Sequence, residues 1–167
     1  MEILLTKRLR MRNFLPTEKE ELFALYKEED IKEYMHWGET QEEEIDEMIE
    51  KSRNRTPLDM GAYHYAVSYL KSDRLVGEIY LEKKSDLFVL GYFIRKERQG
   101  HGYAFEILSA LLKKLDEDFP HHNVMAVVDK RNQRSQRLLK KLGFHNDTEV
   151  DLSSPFYVYS LYGTLFG

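Results

Sequence analysis

The stretch Arg98-Gln99-Gly100-His101-Gly102-Tyr103-Ala104 lies between a strand-like run and a helix-like run. Two glycines one residue apart let backbone N–H groups converge without hindrance from Cβ atoms. A helix that starts there adds its own unpaired N–H groups and the positive end of its dipole. Together they predict a site for a pyrophosphate-sized anion where a strand hands over to a helix. A Gly-x-Gly also occurs as a plain tight turn, so its surroundings decide. A dinucleotide-binding Rossmann fingerprint is excluded, because Phe105 stands where its third glycine belongs. A Walker A loop is excluded too, since Gly-Lys-Ser/Thr is missing.

The runs around this turn define an α/β (α+β) chain, expected to form a single domain over residues 1–167. Ile3 to Phe14 alternates loosely and predicts one strand, with Leu5, Leu9 and Met11 facing inward. Thr17, with Glu20 three residues on, predicts the cap of a helix over Glu18–Lys27. A short helix through Tyr34 follows, then the turn His36-Trp37-Gly38. Thr40 is expected to cap an acidic helix with Ile45, Met48 and Ile49 on its apolar stripe. The period then changes to two, which predicts strands over Tyr63–Leu70, Leu75–Glu82 and Phe88–Ile94. After the glycine turn, Tyr103–Leu115 is helical, Asn123–Val128 is a short buried strand, and Ser135–Leu142 is a helix ended by Gly143. Phe144–Asp151 and Phe156–Tyr162 are expected to close the sheet.

The net charge of −4 argues against a nucleic-acid partner, which needs a basic field. No apolar run reaches the roughly eighteen residues of a membrane span, so no membrane partner is expected. With zero cysteines the chain has no thiolate nucleophile and no disulfide framework. His121-His122 has no third ligand nearby, so no metal is expected either. Met1–Lys7 enters an alternating pattern at once rather than a secretory apolar core, and a cytoplasmic location is the expectation. Glu42, Glu43, Glu44, Asp46, Glu47 and Glu50 crowd one segment. They form either a solvated helix face or an acidic lip that attracts amines.

A second cluster, Asn132-Gln133-Arg134-Ser135, heads the helix after Val124–Val128. If that strand runs parallel to Phe88–Ile94, both helix N-termini rise at the same sheet edge. Ligands of open α/β sheets sit outside such strand ends. Asn132 and Ser135 are each strong capping types. Found together downstream of the glycine turn, they also suit contact with a long ligand.

Gln99-Gly100-His101-Gly102-Tyr103-Ala104 matches the Gln/Arg-x-x-Gly-x-Gly/Ala signature of the GNAT superfamily of acetyl-CoA-dependent N-acetyltransferases. Leu90-Gly91-Tyr92-Phe93-Ile94, Glu106, and Asn132-x-x-Ser135 closing on Gly143-Phe144 resemble the branch that acetylates the N-termini of ribosomal proteins. Thr6–Arg12 and Tyr34-Met35-His36-Trp37 resemble it as well. The likeness covers nearly the whole chain and says more about the superfamily than about the acceptor. It implies a mixed, mostly antiparallel central sheet with a splayed parallel strand pair, flanked by helices.

The resemblance also implies roles. Backbone amides from Gln99 through Gly100, His101, Gly102 and Tyr103 to Ala104 would hold the coenzyme A pyrophosphate. Phe93 and Ile94 would pair with the pantetheine amides like an added strand, beside a gap opened by a strand bulge. Asn132 would bond the pantetheine arm and Ser135 would lie near the sulfur. Many superfamily members carry a tyrosine four residues past the Ser135 position as the acid for the leaving thiolate; here that position is Leu139. The acid role then falls to Ser135 or to no residue. Glu78 is the first candidate for the base, set against a plain outward-facing strand charge. Glu106 is expected to be structural. His36 and Trp37 are candidates for the acceptor pocket wall, with Trp37 alternatively filling core. The implied reaction moves acetyl to a primary amine, be it a protein N-terminus, a polyamine or an aminoglycoside. The alternative is a catalytically weak coenzyme A-binding regulatory or interaction module. An exposed closing strand is available for a homodimer.

Overall fold

Three consecutive period-two runs build the middle of one sheet in a computed structural model that describes residues 1–35, 39–148 and 153–163. They are β3 (Gly61–Tyr69), β4 (Leu75–Lys83) and β5 (Leu87–Ile94). They are preceded by β1 (Glu2–Leu5), β2 (Leu9–Arg12) and helices α1 (Lys19–Tyr26), α2 (Glu29–Met35) and α3 (Glu42–Ser52). They are followed by α4 (Tyr103–Asp118), β6 (Asn123–Asp129), α5 (Gln133–Lys141), β7 (His145–Asn146) and β8 (Phe156–Leu161). The eight strands lie in the order β1-β2-β3-β4-β5-β6-β8-β7. Every neighbouring pair is antiparallel except β5 with β6, which is parallel. The mixed, mostly antiparallel sheet flanked by helices is therefore present.

Alternation sends side chains to both faces. Leu90 of β5 and Ile79 of β4 join Ile107, Leu108 and Leu111 of α4 and Leu139 of α5 in one core. Phe93 of β5 and Ala66 of β3 join Leu22 and Leu25 of α1 and Ile45 and Ile49 of α3 in a second. Each wholly buried leucine, such as Leu108, contributes about 2 kcal/mol by leaving water.

Several local expectations are corrected. Ile3–Phe14 is a hairpin, because Thr6 turns the chain: its N–H and hydroxyl both contact Leu9 O. Leu9 and Met11 are buried, but Leu5 lies on the far side of that turn and is exposed. Thr17 does not cap α1; the chain enters through a 3₁₀ turn over Pro16–Glu18, and the Glu18 carboxylate accepts Leu15 N–H at 2.8 Å. Thr40 yields to Gln41 as the residue before α3, with Glu44 reaching back to the Gln41 N–H. Of Phe144–Asp151 only His145–Asn146 pairs as strand among the described residues, because Thr148 turns in to bond Val158 N–H through its hydroxyl.

The strand ends beside α4 and α5 position the site. β5 stays with β4 to its last residue, Gly77 facing Ile94. A Cβ on Gly77 would lie 2.1 Å from Phe93 O, so only glycine allows this approach. β6 stays with β8 to its last residue, Asp129 facing Phe156. Between them, β5–β6 pairing ends at Leu90 and Ala126. Each strand is held by its outer neighbour, so the remaining halves part. No register shift marks β4–β5 or β5–β6; the nearest irregularity is on β4, where Val67 faces Gly77 and Ser68 faces Leu75 so that Val76 is the extra residue, beside the Gly77 that faces Ile94.

Candidate active site

A cleft of about 600 Å³ opens where β5 and β6 separate. Tyr92, Phe93 and Ile94 form one side, and Asn132, Ser135 and Leu138 the other. The Gly100–Gly102 loop and the first turn of α4 close one end, and Asp30, Ile31 and Tyr34 of α2 another.

Both glycines of the loop have positive φ, +85° at Gly100 and +78° at Gly102, the region that other residues enter only at a cost. A Cβ at Gly100 would meet nothing within 4 Å, so the space above the loop is open. Gln99 N–H bonds Lys96 O at 3.3 Å, but the N–H groups of Gly100, His101, Gly102, Tyr103 and Ala104 are in no backbone hydrogen bond of good geometry outside the helices and strands among the described residues. These donors sit at the positive end of a sixteen-residue helix. Arg98, Arg134 and Lys141 add cationic groups to the same cleft wall.

The loop is anchored from behind. Glu106, in the first turn of α4, accepts Thr6 Oγ1–H at 2.6 Å, Arg8 N–H at 3.0 Å and Arg8 Nε–H at 2.7 Å. Arg8 also donates to His101 O at 3.0 Å and stacks over the Tyr103 ring at 4.6 Å. Burial alone would raise the Glu106 carboxyl pKa, but the bonds from Thr6 and Arg8 outweigh it and hold the pKa below its usual value. His101 is exposed, its ring tilted against that of Tyr103 at 5.4 Å, and it forms no part of the cleft wall.

The Gln99 side chain faces the protein rather than open space. Its amide donates to Ile94 O at 2.8 Å and its carbonyl accepts from Arg134. Across the cleft, Asn132 Oδ1 accepts Ser135 N–H at 3.1 Å, so the capping role of Asn132 is real, and both residues still line the cleft. Ser135 Oγ lies 2.6 Å from the Tyr92 hydroxyl. Burial pushes the Tyr92 phenol up to about 12, against a smaller opposing pull from Ser135. Leu139 sits in the first core, only 1% exposed.

Glu78 faces Phe93 in the β4–β5 register but is wholly buried and does not line the cleft. It accepts Tyr26 O–H at 2.6 Å, and His64 Nδ1 lies 3.1 Å away without the alignment of a hydrogen bond. Burial, then the Glu78 charge, drives the Tyr26 phenol far up in pKa. His36 and Trp37 lie outside the described residues. Arg8, Tyr26 and Tyr92 were not singled out as site residues from the sequence. Tyr92 alone left a signal: it alternates with Phe93 and so faces the side of β5 that packs against α4 and α5.

The profile of the family described as acetyltransferase (GNAT) domain matches residues 8–145. A Bacillus subtilis (strain 168) protein named probable N-acetyltransferase YjcK is 29% identical over 89 residues. That match spans 51% of this chain and 49% of its relative, so about half the length of each is compared. A GNAT-family acetyltransferase from Bacillus anthracis superposes with TM-score 0.81 at 23% identity, covering 98% of this chain and 99% of that one. A spermidine N-acetyltransferase from Vibrio cholerae, solved with CoA and spermine, gives TM-score 0.77 at 16% identity, covering 93% and 96%.

Proposed function

This chain belongs to the GNAT acetyltransferase family, and from that membership we propose that it carries acetyl from acetyl-CoA to a primary amine. The observation that supports this most is the parted β5–β6 pair with open backbone donors at its mouth. A diphosphate fits those donors in charge and in space, since a Cβ at Gly100 would meet no protein atom.

The N–H groups from Gly100 to Ala104 hold the diphosphate. Gln99 acts at one remove, orienting Ile94 O and Arg134. The edge of β5 at Phe93 and Ile94, beyond the last β5–β6 pair at Leu90 and Ala126, lies beside the pantetheine arm, and Asn132 turns its amide toward that arm. A backbone N–H on this edge polarises the thioester carbonyl. The amine nitrogen attacks the carbonyl carbon, the C–N bond forms, the C–S bond breaks, and its electron pair goes to sulfur beside Ser135. Without a cysteine no acyl-thioenzyme can form, so transfer is direct in a ternary complex. Bringing both substrates together supplies much of the rate. Glu78 receives the nitrogen's proton through water or His64, because its own carboxylate is buried.

The acceptor is a small-molecule or peptide amine. The relative solved with spermine is named a spermidine N-acetyltransferase, and a polyamine is one arm of the test. We place the reaction in the cytoplasm, on a single domain. The alternative, a coenzyme-binding module without turnover, is favoured only by the burial of Glu78.

The test is calorimetry with coenzyme A and with ADP, followed by thiol release from acetyl-CoA with spermidine, an N-terminal peptide and an aminoglycoside. Coenzyme A binding well above ADP, with an acetylated product by mass, is expected. Equal binding of the two ligands contradicts the cleft assignment; binding without any product favours the module. Glu78→Gln is expected to lower kcat/KM about a hundredfold. An unchanged kcat/KM removes Glu78 as base.

A further inference from the structure

The family's usual tyrosine position is taken here by Leu139, which is sunk in the core. A phenol nevertheless reaches the cleft from another element. Tyr92 comes from β5, where alternation sends it to the α5 side, and its hydroxyl lies 2.6 Å from Ser135 Oγ. Among the described residues it has no other hydrogen-bond partner.

Resting on the acetyl-transfer reading, we propose that Tyr92 is the positioning residue for Ser135, donating its phenol hydrogen to Oγ so that the serine's own hydrogen points at the thioester sulfur. A phenol is a far stronger acid than an alkyl alcohol, and its oxygen the weaker acceptor, so donation runs from Tyr92 to Ser135. Burial keeps the phenol protonated through the neutral range, so the direction of the bond does not reverse there. The serine N–H is already fixed by Asn132, which leaves the hydroxyl hydrogen only its torsion to settle. With one lone pair facing Tyr92, that torsion is restricted and the hydrogen is aimed into the cleft. As the C–S bond breaks and its electrons move to sulfur, Ser135 donates a hydrogen bond to the developing thiolate. Neither hydroxyl loses its proton. The proton shed by the nitrogen leaves by the base, and the products are amide, thiolate and one proton.

The direct readout is the acidity of coenzyme A bound to the full chain, followed by thiolate absorbance across pH. A hydrogen bond to the thiolate raises that acidity. Ser135→Ala and Tyr92→Phe are each expected to lower the thiol's acid dissociation constant about tenfold, roughly the weight of one charge-assisted bond. The double variant is expected to lie no lower than Ser135→Ala alone. In turnover, Tyr92→Phe lowers kcat by about tenfold while the dissociation constant of coenzyme A changes less than about twofold. A purely structural tyrosine would move stability or affinity and leave the bound thiol unchanged. Normal thiol acidity in Tyr92→Phe, with a fall in Ser135→Ala, overturns the role of Tyr92. Should the phenylalanine variant fail to fold, 3-fluorotyrosine at position 92, a stronger donor of the same shape, is expected to raise the thiol's acidity. No change overturns the proposal. Failure of the unaltered chain to bind coenzyme A would instead remove the acetyl-transfer reading itself.

Discussion

The helices α4 and α5 begin at the same edge of the sheet, after the two strands that run parallel, yet their first turns differ. At α5 the Asn132 side chain takes the Ser135 N–H, and the site is left with a serine hydroxyl. At α4 the preceding residue is Gly102, no side chain caps the end, and the N–H groups stay open. Losing a cap costs a helix about 1 kcal/mol. The longer helix can bear this: α4 has sixteen residues with Ile107, Leu108, Leu111, Leu112 and Leu115 buried, and Glu106 in its first turn favours the dipole. In the nine residues of α5 only Leu139 is buried, and its cap matters more. An anion site at a helix end therefore depends on the rest of the helix being stable enough to leave that end bare.

The largest effect is expected from breaking the open end. Gly102→Val places a β-branched residue at φ +78°, a strain of about 1–3 kcal/mol, relieved only by moving the donors. Coenzyme A affinity in calorimetry should fall about a hundredfold, and unchanged affinity would refute the loop as the anion site.

A smaller effect tests the anchor that keeps the bare end in place. Glu106→Gln should destabilise the fold by about 2 kcal/mol at neutral pH in urea unfolding, having weakened bonds to a partly buried charge. The sign with pH follows from the lowered carboxyl pKa in the folded chain. The unfolded chain binds the extra proton, so this stability is present above the ordinary carboxyl value and lost as pH falls through the folded one. The gap between parent and variant should close on acidification; a constant gap would show that the Glu106 charge does not matter.

Asn132→Ala comes last. It should cost about 1 kcal/mol of stability and lower coenzyme A affinity only a few-fold, near the loss of one neutral hydrogen bond. A loss matching that of Gly102→Val would erase the distinction between the two ends.

Much of this contrast was legible in the chain itself. The period-two runs located β3, β4 and β5, and the stripe from Ile107 to Leu115 located α4, because each pattern is local and long. The Gly-x-Gly turn marked the open end, since positive φ leaves a compositional trace. The turn at Thr6–Arg8 was illegible: no glycine or proline marks it, and Glu106, a hundred residues away, is what holds it. Thr17 and Thr40 were good capping types, but neighbouring Glu18 and Glu44 make the bonds, a competition that composition cannot rank. Glu78 had the right chemistry and strand, but its depth beneath Tyr26 depends on how α1 packs. Tyr92 meets Ser135 only because β5 and β6 are parallel and part after Leu90 and Ala126.

The most direct measurement is an amide-resolved NMR titration of the ¹⁵N-labelled chain with coenzyme A. The N–H signals of Gly100 through Ala104 should move strongly downfield as they take on phosphate oxygens, while that of Ser135, already bonded to Asn132, should move little. Saturating coenzyme A that leaves the Gly100–Ala104 amides in place would contradict the account.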